Sequence, residues 1–232
     1  MPLYVVATPI GNQEDLSPRA IKTLSDCNVI IGEEFREAST LLKHHGLTGK
    51  TLEQLNEHSS PEDLKPLVEM CRIQNVALIS DCGTPGFCDP GAELVAACRS
   101  QGIKIIAVPG VSSLTTFLSL CGQRLNEFYF RGFLPANRDA RASALKLLKN
   151  DSRAVILMDT PYRLSRLLQE LAALMPERQA TLGMNFTSDN EAVRVNTLKN
   201  LANDFTDCKA EFLLLFHCQN QPGPSFSRKK LR

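Results

Sequence analysis

The sequence predicts an α/β fold built from two α/β domains, the first around a mainly parallel sheet and the second around a mixed one. In the first half, short apolar and β-branched runs alternate with amphipathic stretches. That rhythm belongs to a parallel sheet with helices on both faces. In the last third, Ala180–Met184, Ala192–Val195 and Glu211–Cys218 read as strands with short connections, which points to antiparallel pairs.

The elements follow in order. Leu3–Ala7 is a strand, and Ser17 caps a helix that has Pro18 at its first position. Val29–Ile31 is a second strand and Arg36–His45 a second helix. The helix Pro61–Arg72 leads into the strand Val76–Ser80. Pro90–Ser100 is a helix, Lys104–Val108 a strand and Val111–Cys121 a helix. Next come the strand Phe128–Phe133 and the helix Arg138–Lys149, whose Arg138, Arg141, Lys146 and Lys149 form a basic outer face. Ala154–Met158 is a strand and Tyr162–Leu174 a helix. A short helix, Leu198–Phe205, separates the last two strands. The apolar pattern breaks at Gly122–Glu127, which divides the chain into domains 1–122 and 123–218. The polar stretch 219–232 carries Pro222, Gly223, Pro224 and four basic residues, and reads as a disordered extension.

Composition narrows the function. With 43% hydrophobic and 22% charged residues, the chain can bury a normal core. Lys and Arg number 26 against 25 Asp and Glu, a net charge of +1, so any phosphate-binding surface has to be local. Eight cysteines without a CxxC pair, beside four histidines, argue against zinc and for reduced thiols. The N-terminal run lacks the basic leader of a signal peptide, and no apolar run reaches membrane-spanning length, so the protein is expected in the cytoplasm.

Three loops follow predicted strands: Thr8–Asn12, Ser80–Gly86 and Pro109–Ser113. In an open α/β sheet, ligands bind at that edge. Glycine and proline fix the turns and let a ligand approach bare backbone. Asp81 can accept hydrogen bonds from hydroxyl or amine donors, and Ser112 and Ser113 open a helix. Neither GxGxxG nor GxxxxGK[ST] occurs, which disfavours the common dinucleotide and P-loop sites.

Four segments, in this order and spacing, resemble the tetrapyrrole-methylase superfamily, on the branch that methylates ribose in small-subunit ribosomal RNA. They are Leu3–Asn12 (LYVVATPIGN), Ser80–Gly91 (SDCGTPGFCDPG), Val108–Ser113 (VPGVSS) and Gly132–Pro135 (GFLP). The resemblance implies a tetrapyrrole-methylase-like fold with a cofactor cleft between the two domains, S-adenosylmethionine as cofactor, and a homodimer. It implies cofactor contacts from Pro9, Asp81, Gly83, Gly86, Ser112, Ser113 and Met158. Where the family reads Ala-Glu-Asp-Thr-Arg, this chain has Gly32-Glu33-Glu34-Phe35-Arg36, keeping Glu33 and Arg36. Asp159–Arg163 replaces Glu-Ser-Pro-His-Arg, and Asn185–Glu191 lacks a Glu, a Lys and a His of the family pattern.

Methyl transfer to a hydroxyl needs alignment and a base. Glu33, Glu57 and His58 are candidates for the base, and Arg36 can hold a phosphate. Glu33 and Arg36 are the expected catalytic pair, though the two could equally form a structural salt bridge. Three functions stay open at this point: methylation of ribosomal RNA ribose, methylation of a tetrapyrrole or other small molecule, and cofactor binding without turnover. Ribosomal RNA or the small subunit is the expected partner of the first.

Overall fold

A computed structural model describes residues 1–218; the expected disordered extension, 219–232, lies outside the described residues. The chain forms two compact units, one ending at Thr115 and the other beginning at Thr116.

The first unit holds five parallel strands in the order β3-β2-β4-β1-β5. These are β1 (Leu3–Val6), β2 (Val29–Gly32), β3 (Thr51–Gln54), β4 (Val76–Leu78) and β5 (Ile105–Val108). Side chains alternate across the sheet and build two cores. Val6, Ile30, Ala77 and Val108 pack on α1 (Pro18–Asp26) and α2 (Phe35–His44). Leu3, Val29, Ile31 and Leu78 pack on α3 (Pro61–Ile73) and α4 (Ala92–Ser100). Ser17 caps α1 as expected, its Oγ accepting the Ala20 N–H at 3.1 Å, with Pro18 next.

Two differences from the sequence reading have physical causes. The edge strand β3, TLEQ, is polar and half-exposed, so it carries no apolar signal. The helix expected from Pro90 starts at Ala92, because Gly91 takes φ +130° and cannot be helical. A Cβ there would lie 2.7 Å from Leu78 Cδ2.

In the second unit the strand order is β6-β7-β10-β8-β9. The strands are β6 (Tyr129–Gly132), β7 (Val155–Asp159), β8 (Gln179–Met184), β9 (Ala192–Thr197) and β10 (Phe212–Phe216). The β6–β7 pair is parallel and the other three are antiparallel, a mixed sheet. One face is covered by the leucines of α6 (Arg138–Asn150), α7 (Leu164–Leu174) and α8 (Leu198–Asp204). On the other face Phe117, from α5 (Ser113–Leu120), packs against Phe186 with ring centroids 5.9 Å apart. Both rings close over Gly183, where a Cβ would meet Phe117 and Phe186 atoms within 2.9 Å.

Among the described residues no helix is long and apolar enough to cross a membrane, and no group of three or more His, Cys, Asp or Glu could hold a metal.

Candidate functional site

The loops after β1, β4 and β5 leave the same end of the first sheet, because all its strands are parallel. A buried threonine ties them together. Thr8 donates from Oγ1 to the carbonyls of Ser80 at 3.0 Å or Gly83 at 3.2 Å, and accepts the Gly83 N–H at 3.1 Å. Its own N–H reaches the Gly83 carbonyl at 2.8 Å. Thr84 Oγ1 donates to the Val111 carbonyl at 3.1 Å, which joins the second loop to the third. Gly83 and Gly86 have φ of +88° and +78°, the left-handed region that glycine enters without strain. A Cβ on Gly83 would crowd Ile10 Cγ2 at 3.3 Å, and one on Gly110 would crowd Ala7 Cβ at 3.1 Å. Glycine at these positions lets the loops pack closely on one another.

Pro9 and Gly83 are buried in this cluster, while Gly86, Ser112 and Ser113 are half-buried at its rim. Asp81 accepts the Glu34 N–H at 3.2 Å, so the loop after β2 joins the group. Withdrawal of its carboxyl from water raises the Asp81 pKa, and that hydrogen bond opposes the rise. Met158 belongs to the second unit, half-buried near the end of β7 and opposite Leu213 on β10.

Glu33 ends the β2 segment on the wall of a cavity of about 550 Å³. Glu57, Asp89, Glu93 and Gly86 line the same cavity, with no Lys or Arg in its wall among the described residues. Partial burial, and then the carboxylates of Asp81, Asp89, Glu57 and Glu34, push the Glu33 pKa up to about 7. Burial and Asp81 likewise raise Asp89, against a hydrogen bond from Ser80. Among the described residues no ion pair joins Glu33 to Arg36, so the salt-bridge alternative does not hold. Arg36 is exposed in the first turn of α2. His58 stands in solvent, 3.7 Å from Glu57.

The basic outer face read for α6 needs one correction. Arg138, Lys146 and Lys149 are exposed, but Arg141 is only 4% exposed. Its Nε pairs with Glu170 at 2.7 Å and its Nη1 with Asp159 at 3.2 Å.

Thr8, Thr84 and Asp89 were not singled out from the sequence. Thr8 and Thr84 sit in the quoted segments, but their work is to bind other loops, which only the fold brings near.

The tetrapyrrole (corrin/porphyrin) methylases match the chain over residues 2–202. The chain belongs to this family. A relative in Synechocystis sp., the ribosomal RNA small subunit methyltransferase I, is 37% identical over 99% of this family member and 84% of the relative. Proteins of the same name in Haemophilus influenzae and Leptospira biflexa are 37% and 34% identical. They align with 86% and 93% of this chain, and with 71% and 90% of their own lengths. Among solved structures, diphthine synthase superposes with a TM-score of 0.71 at 14% identity, covering 94% of this chain and 90% of that one. The methyltransferase CobJ gives 0.67 at 16%, covering 96% and 97%. At those identities the likeness is one of fold.

Proposed function

We propose that the protein transfers a methyl group from S-adenosylmethionine to a ribose 2′-hydroxyl of small-subunit ribosomal RNA, in the cytoplasm and as a homodimer. The observation that carries this reading is the near full-length similarity to proteins named for small-subunit ribosomal RNA methylation.

The residues present fit the cofactor. Its sulfonium is cationic and its ribose and amino groups are donors; of the residues the resemblance assigns to it, Gly86 lines the cavity of Glu33, Glu57, Asp89 and Glu93, whose carboxylates would attract that charge. Gly83 and Gly86 would lie along it as bare backbone beside the Pro9 ring, Asp81 would accept from its hydroxyl or amino groups, and Ser112 and Ser113 would donate to its carboxylate. When bound, S-adenosylmethionine supplies an activated methyl group.

The protein's part is to align the acceptor and to take one proton. Glu33, its pKa pushed up to about 7, would accept the proton of the acceptor 2′-hydroxyl, which methyl transfer to that oxygen requires. Arg36 holds a phosphate beside the target ribose.

The test is incubation with tritiated S-adenosylmethionine and unmethylated small subunits. Label is expected in the RNA, together with alkali resistance at one phosphodiester, since a methylated 2′-oxygen cannot attack its phosphate. Label confined to small molecules would contradict the RNA substrate. A single mass by light scattering equal to one chain would contradict the dimer.

A further inference from the structure

A second cavity of about 550 Å³ lies between α6 and α7, wholly within the second unit. Arg138, Arg141, Lys146 and Arg166 line it, with Glu170 as the one acidic residue among the described residues of its wall. Glu170 is already engaged by two cations, accepting from Arg141 Nε at 2.7 Å and Arg166 Nε at 2.9 Å. Asp159, behind it, is shared between Arg141 and Arg163, each at 3.2 Å. Among the described residues the lining therefore holds four cations against one carboxylate.

Arg141 is the unusual member. It is 4% exposed, and its Nη2 is buried with no hydrogen-bond partner among the described residues. A guanidinium N–H out of water without an acceptor is costly to maintain. The two pairs made by Nε and Nη1 hold the plane of the guanidinium fixed, which is the arrangement that suits recognition of an oxyanion. Arg138 and Lys146 stand exposed beside it, and Lys149 extends the row on α6 beyond the cavity. A row of cations leading from a cavity matches a chain of phosphates better than a single ion.

We propose that the α6–α7 cavity is a phosphate site that takes one backbone phosphate of the RNA substrate, with Arg141 as the fixed donor and Arg138, Lys146 and Arg166 as surrounding cations. This rests on the RNA reading above and adds to it a binding surface outside the loops of the first unit.

The experiment is fluorescence anisotropy of a labelled small-subunit ribosomal RNA fragment with the full-length protein at several salt concentrations. Wild type is compared with Arg138→Gln, Lys146→Gln and the double variant, which leave the buried pairs intact. S-adenosylhomocysteine titration and the thermal transition of each variant serve as controls. Each substitution is expected to weaken RNA binding by about 3–10-fold and the double variant to lower the salt slope by about 1–2, with both controls unchanged. RNA binding by the variants equal to wild type overturns the site and leaves the RNA reading standing. Failure of wild type to bind RNA overturns both. Competition with inorganic phosphate and pyrophosphate separates the sources. Variant-sensitive binding of free phosphate with RNA binding untouched would assign the cavity to a small anion and overturn the RNA assignment.

Discussion

Glu33 is a carboxyl surrounded by carboxyls. Partial burial and four acidic neighbours hold its pKa near 7, where a free glutamate would titrate near 4.5. The sign of the consequence is fixed. The folded protein holds this proton more tightly than the unfolded chain, so its contribution to stability is present below about pH 4.5 and lost as pH rises through 7. Glu33→Gln should therefore raise the thermal midpoint at pH 8 and leave it nearly unchanged at pH 4. Catalysis runs the other way. Methyl transfer by the wild type should climb with pH through about 7, and Glu33→Gln should lower the rate by about 10²–10⁴ and flatten the profile. A variant rate that keeps the wild-type pH profile would remove Glu33 as the base. Thr8 gives a separate test. Its hydroxyl serves Ser80 and Gly83 in a buried position, so Thr8→Val should cost about 1–3 kcal/mol in urea denaturation and weaken S-adenosylhomocysteine binding.

At the scale of elements, the glycine loop after β4 depends on backbone that no other residue follows easily. Gly91 ends that loop at φ +130° with Leu78 beneath it. Gly91→Ala should cost about 1–3 kcal/mol and loosen both α4 and the loop, read by denaturation and by hydrogen exchange of the Gly83–Gly86 amides. In the second unit, Phe117→Ala should cost about 3–5 kcal/mol, since it opens a void over Gly183 in a sheet otherwise closely packed. The sequence made most elements legible because their burial follows a period. Ile30 and Ile31 point to opposite cores, and the leucines of α7 recur at helical spacing. What it concealed had no such period. The strand TLEQ is polar at a sheet edge, the shift at Gly91 depends on Leu78, and the burial of Arg141 depends on Asp159 and Glu170.

At the scale of the whole molecule, the family and the two-sheet α/β architecture were legible from four short segments and the strand–helix rhythm. The electrostatics were not legible, because they arise from residues distant in sequence. Net charge is +1, yet Glu33, Glu57, Asp89 and Glu93 gather in one cavity while Arg138, Arg141, Lys146 and Arg166 gather in another. Such a division suits an enzyme that holds a cationic donor in one place and a polyanionic acceptor in another. We propose that the loops tied by Thr8 hold S-adenosylmethionine. Isothermal titration with S-adenosylhomocysteine, comparing wild type with Asp81→Ala, tests it most directly. Micromolar binding is expected of the wild type, weakened about tenfold or more in a variant that remains folded. No binding by the wild type, or equal binding by both proteins, would contradict it.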